Sequence, residues 1–265
     1  FDDAYYDLLV AIGNETAGLL DQSPSRPMLT ALVSLDDLAR DDRYLQIGSI
    51  LSKFGGRDIY LCLMDDENPR YERLDSGALE GGARLIRALT AAGFVVTVGF
   101  TSSEMILWKA AGAQHVASGK FFNLRRFTAS RWDEDEAGGG RNIWYWFEPS
   151  LLAFLREADF RRFKRDFPIS VMHATNPYSQ AILEKLQSAE KMPWLADSWR
   201  QFLHWFAECE AELDNGAASA DLISVALDTW HQVHASKLKF EQERNNGEWA
   251  RSWEIVLNEL NRRPG

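Results

Sequence analysis

Carboxylates, hydroxyls and a lysine recur just past the ends of apolar runs in this chain, and such groups can move protons, hold a cation or grip an anion. Asp36 follows MLTALVSL (28–35), and Asp65, Asp66 and Glu67 follow DIYLCLM (58–64). Thr101 and Ser102 follow FVVTVGF (94–100), and Ser118, Gly119 and Lys120 close AQHVASGK (113–120). Asp36, Asp66 and Lys120 are therefore candidates for acid/base or cation chemistry. Thr101, Ser102, Ser118 and Gly119 are candidates for holding an anion, because hydroxyls and backbone N–H groups at a helix start suit a phosphate. Arg125 and Arg126 in NLRRF stand between aromatics and extend that set, since a guanidinium clamps phosphate or stacks on a base.

Each candidate has an ordinary role beside the chemical one. Asp36-Asp37 stands where acids cap the next helix, and Asp65-Asp66 where acids solvate a loop. Ser102 suits an N-cap, and Glu104 adds negative charge where an anion would sit. SGK lacks the spaced glycine of a phosphate loop. Arg125 and Arg126 can instead pair with Asp133, Glu134, Asp135 and Glu136. His115 reads as a core residue of its strand. Asp228, His231 and His234 share a helix face at chelating spacing, a weak metal signal. No G-x-S-x-G, H-E-x-x-H, zinc-type cysteine pair or G-x-G-x-x-G occurs, so no metal or cofactor is assigned.

Positioning these groups requires strands that all point one way. Apolar periodicity predicts helices over 2–22, 41–54, 77–92 and 103–111, alternating with strands over 28–35, 58–64, 94–100 and 113–118. In the first helix, Tyr5, Leu8, Leu9, Ile12 and Leu19 fall near one face. Short βα alternation implies parallel pairing with helical crossovers, and strands this apolar are expected to be covered on both faces. In such sheets ligands bind beyond the carboxyl ends of the strands. Thr30, Ser34 and Asp36 share one face of the first strand. Gly138-Gly139-Gly140 marks 119–149 as loop, with a short strand near Trp144–Phe147. SLLAFLREADFRRFKRDF (150–167) has helical spacing, ISVMHA (169–174) reads as a short strand, and helices follow over 178–190, 194–213, 219–244 and 248–262.

VGFTSSEMILWKAAGAQHVASGK resembles the closing βαβ of many (β/α)8, or TIM, barrel enzymes, whose seventh and eighth units often carry phosphate-binding loops. ASGKFFNLRRF and YWFEPSLLAFLREAD are similar to uncharacterised prokaryotic barrel-like proteins. The resemblance implies an α/β fold of parallel βα units of partial TIM-barrel type over 1–165, followed by a mostly helical region over 166–265. Four units are half a barrel. The first half is then expected to precede Phe1 or to come from a partner chain, and a free-standing doubly wound sheet is the alternative.

A net charge of −10 argues against nucleic acid and anionic membranes as partners. Cys62 and Cys209 read as two buried thiols in a reducing, cytoplasmic setting. No run approaches the length needed to span a bilayer. The expected function is a barrel-type enzyme acting on an anionic, phosphorylated or nucleotide-like small molecule. The alternative is a non-catalytic assembly subunit that docks through its aromatic-rich helical C-terminal region.

Overall fold

The structure, a computed structural model, describes residues 1–20, 23–66, 71–120, 124–128, 144–188 and 194–262. The chain divides into two compact units, one of residues 1–119, 123–131 and 252–265, the other of 120–122 and 132–251.

The first unit runs α1 (Asp3–Leu19), β1 (Met28–Ser34), α2 (Leu35–Leu38), α3 (Arg43–Leu51), β2 (Asp58–Met64), α4 (Ser76–Ala91), β3 (Val95–Gly99), α5 (Met105–Ala110) and β4 (His115–Val116). The strands pair in the order β1-β2-β3-β4, all parallel, with Met28 opposite Asp58, Asp58 opposite Val95 and Thr97 opposite His115. Every neighbour is the next strand in sequence. Right-handed crossovers then place the connecting helices on one side of the sheet, whereas a doubly wound sheet reverses its order and uses both.

That one-sidedness is written into the burial. Leu29, Ala31, Val33, Ile59, Leu61, Leu63, Val96 and Val98 share the helix-covered face and are buried. On the opposite face Met28, Thr30 and His115 are exposed, Leu32, Ser34, Tyr60, Met64, Val95 and Thr97 are half-buried, and Cys62 and Gly99 are buried. The expected coverage of both faces is thus only partial on this one, and a core position for His115 fails. Close packing on the covered side needs Gly81: a Cβ there would overlap the Leu38 carbonyl, so α4 could not approach α2.

α1 also packs against α3 and β1. It buries Tyr6 and Val10, while Asn14 Nδ2 donates to the Lys53 carbonyl at 3.0 Å. Leu8, Ile12 and Leu19 lie exposed on its other side, so the periodic face seen in the sequence is not the packed one.

In the second unit β5 (Tyr145–Glu148) and β6 (Ala153–Arg156) form an antiparallel hairpin. α6 (Glu157–Asp166), a 3-10 turn (Val171–Ala174), α7 (Pro177–Gln187), α8 (Leu195–Asp214) and α9 (Ser219–Ala235) follow. α10 (Glu248–Arg262) contributes its first turn to this unit and the rest to the first. α8 satisfies the free edge of β5: Tyr145 N donates to Ser198 Oγ at 2.7 Å and Phe147 N to Gln201 Oε1 at 3.0 Å. Phe147, Phe154, Phe202 and Trp205 pack as one aromatic group. Three expectations change here. Residues 153–156 are strand rather than helix, 171–174 are a 3-10 turn rather than strand, and the helix begun at 219 stops at 235. Among the described residues no helix is long and apolar enough to cross a membrane.

Candidate functional site

The tips of β2 and β3 converge on a buried set of charges. Asp65 and residues 101–104 come from those tips, Glu72 and Arg73 from the segment before α4, and Arg125 and Arg126 from the segment after β4. That last segment is held by a parallel bridge between Met64 and Phe127 and by the Phe127 ring against Phe100 at 5.2 Å. Arg73 Nε donates to Asp65 Oδ2 at 2.6 Å and its Nη2 to the Leu63 carbonyl at 2.9 Å, while its Nη1 lies 3.1 Å from Glu104 Oε1. Arg125 Nη1 donates to Glu72 Oε1 at 2.9 Å and to Ser102 Oγ at 2.6 Å. Arg126 Nε lies 3.7 Å from Asp65 Oδ1. Three carboxylates face three guanidiniums, which is how such charges tolerate burial. Burial pushes the Glu72 carboxyl above its usual range, against the pull of Arg125. Among the described residues, Glu72 Oε2 and Ser103 Oγ are buried without a hydrogen-bond partner.

Beside this network, past the tips of β1 and β2, opens a cavity of about 440 Å³ lined by Leu35, Asp36, Asp65, Asp66, Arg73, Leu74, Asp75, Ala78 and Leu79. Local structure explains the acids on its wall. Asp75 caps α4 by accepting from Gly77 N at 2.9 Å and Ala78 N at 3.1 Å. Asp36 sits in the first turn of α2, whose cap is Ser34. Asp36, Asp66 and Asp75 are exposed, and Arg73 already serves Asp65 and Glu104. The cleft is thus rich in acceptors and carries negative charge.

The sequence candidates are distributed as follows. Asp36 and Asp66 line the cleft. Thr101, Ser102, Arg125 and Arg126 are buried at the strand tips and do not line it, with Thr101 Oγ1 accepting from Trp108 Nε1 at 3.1 Å. Ser102 N donates to Glu104 Oε2 at 3.2 Å, so Glu104 folds back on the turn instead of repelling a ligand there. Ser118 and Gly119 belong to the first unit and Lys120 to the second. Gly119 N donates to the Leu124 carbonyl at 3.3 Å. Glu67 and Asp133 to Glu136 lie outside the described residues. Glu72 and Arg73 escaped the sequence reading because they follow no apolar run. Their one signal is the alternation of charge in YERLD (71–75).

A second polar group lies in the other unit. Glu148 is fully buried; its Oε2 accepts from Trp146 Nε1 at 3.0 Å and His173 Nε2 at 3.2 Å. Its Oε1 accepts from Ser150 Oγ at 2.7 Å and Ser170 N at 3.0 Å. His173 Nδ1 lies 2.8 Å from Ser179 Oγ, and that oxygen accepts from Gln201 Nε2 at 3.2 Å. Serine, histidine and carboxylate stand in sequence as in a nucleophilic triad. Ser179 is nonetheless fully buried, and the chain of contacts runs from β5 through the 3-10 turn to α7 and α8, which makes this a structural hub. His231 and His234 are exposed, and among the described residues no group of three or more His, Cys, Asp or Glu is arranged to hold a metal.

Compared with known proteins, the chain matches no family model, no curated protein and no solved structure.

Proposed function

We propose that the first unit is a barrel-type enzyme domain that takes a small polar molecule into the cleft at its strand tips, with Asp36 and Asp66 as the acid/base pair. The observation that carries this reading is the position of the cleft, beyond the carboxyl ends of parallel strands, where such sheets bind ligands. Its exposed carboxylates favour a ligand that offers amine or hydroxyl donors. An anionic, phosphorylated or nucleotide-like ligand is the second reading, favoured by Arg73 on the same wall. The assembly-subunit alternative finds less support here, because charged groups and open space occupy the strand tips in place of apolar packing. A prokaryotic, cytoplasmic setting belongs to this proposal and agrees with Cys62 and Cys209 as buried free thiols.

Calorimetric titration of the full chain with putrescine and with AMP separates these readings. Putrescine is expected to bind, Asp66→Asn to weaken it about tenfold through loss of a charge-assisted bond, and Leu74→Trp to block it. AMP binding that Leu74→Trp abolishes would select the anionic ligand. Binding of neither probe, or binding indifferent to both substitutions, would remove the cleft as the site.

A further inference from the structure

Arg73 is the one cation among the described residues that line the cleft, and Asp36, Asp66 and Asp75 share that lining. A guanidinium free to move there would pair with those carboxylates or receive an anion. Arg73 is fixed instead at both backbone and side chain. Its carbonyl accepts from Trp253 Nε1 at 3.0 Å. Its guanidinium donates to Asp65 and to the Leu63 carbonyl, and its Nη1 lies 3.1 Å from Glu104 Oε1. The Arg73 side chain keeps 4% of its surface exposed, and that of Glu104 keeps none. Glu104 is held in turn by Ser102 N, which donates to its other carboxylate oxygen at 3.2 Å. Turning Arg73 out into the cleft would break these bonds and strip the buried Glu104 carboxylate of this guanidinium, a costly state.

We propose that Glu104, which does not line the cleft, sets the sign of the charge the cleft accepts. Together with Asp65 it neutralises Arg73, so the wall stays negative and selects a cation. Glu104 is then a positioning residue that acts through Arg73, and the inference rests on the cleft being the ligand site. Arg73 with Asp65 and Glu104 carries one net negative charge, which Glu104→Gln removes. A unit charge about 10 Å from a cation changes its affinity about tenfold at an effective dielectric constant of about 20.

Two ligands of similar length that differ in charge at one end separate this role from a merely structural one. Putrescine carries an ammonium at each end, and 4-aminobutyrate carries a carboxylate at one. In calorimetric titration of the full chain, Glu104→Gln is expected to weaken putrescine about tenfold and to strengthen 4-aminobutyrate. Glu104→Asp keeps the charge and should stay near the wild-type ratio of the two affinities. Loosened packing alone would weaken both ligands together. Asp65→Asn takes the other carboxylate from the same guanidinium and should move the ratio the same way, so it carries the test if Glu104→Gln does not fold. A folded Glu104→Gln or Asp65→Asn chain that keeps the wild-type ratio, or that weakens both ligands equally, would overturn the proposal and leave the cleft as the ligand site. A wild-type chain that does not bind putrescine would remove the cleft reading and this proposal with it.

Discussion

Arg125 shows what a balanced set of buried charges demands of each member. Its guanidinium spans Glu72 and Ser102, and Arg125→Ala would leave the Glu72 carboxylate buried with one partner fewer. Breaking such a pair from one side costs about 3–5 kcal/mol, whereas replacing both partners with apolar groups costs far less. Urea unfolding should therefore show a large loss in Arg125→Ala, with part of it restored in Glu72→Leu/Arg125→Leu. The hub residue Glu148 makes a separate prediction about pH. Burial pushes its carboxyl up, but hydrogen bonds from His173, Trp146 and Ser150 outweigh that and hold it below the usual range. Its stabilising effect is then complete above the ordinary carboxylate pKa of about 4.3 and is lost as pH falls through the lower folded value. Unfolding midpoints measured from acid pH to neutrality should show Glu148→Gln with a flatter acid limb than wild type. Glu72 has the opposite sign: its raised pKa makes its contribution decline as pH rises above the ordinary range. At this scale the sequence exposed Asp36, Asp66, Ser102 and Arg125 because each follows an apolar strand or sits in a basic-aromatic run. It hid their partners, since Glu72 lies 53 positions from Arg125 and no local period links them.

Elements were legible where one period ran unopposed. The strands read at 28–35, 58–64, 94–100 and 113–118 contain β1 to β4, and their parallel pairing follows from the helices between them. β6 was hidden because Leu151, Leu152 and Leu155 satisfy a helical period as well as a short apolar strand. Pro149 and the left-handed backbone of Leu152 make the turn that decides for the hairpin. Which face of α1 packs was likewise undetermined, since both are apolar. Closeness between elements leaves its mark at Gly81. Gly81→Ala should force α4 away from Leu38 and cost about 1–3 kcal/mol, the usual range for overpacking, visible as a lowered Tm. A Tm equal to or above wild type would mean that α4 and α2 do not approach as closely as described.

For the whole molecule, the four strands in sequential parallel order leave one sheet face partly open, and a polar cleft lies past their carboxyl ends. Burial, charge and topology all single out that end of the first unit, while βα alternation predicted the parallel pairing and left the strand order open between a half barrel and a doubly wound sheet. The most direct test of the cleft as the binding site is an amide chemical-shift map of the isotope-labelled full chain titrated with putrescine. Saturable shifts confined to residues 35–36, 65–66 and 73–79 are expected. Shifts clustered elsewhere, or none at saturating ligand, would contradict it.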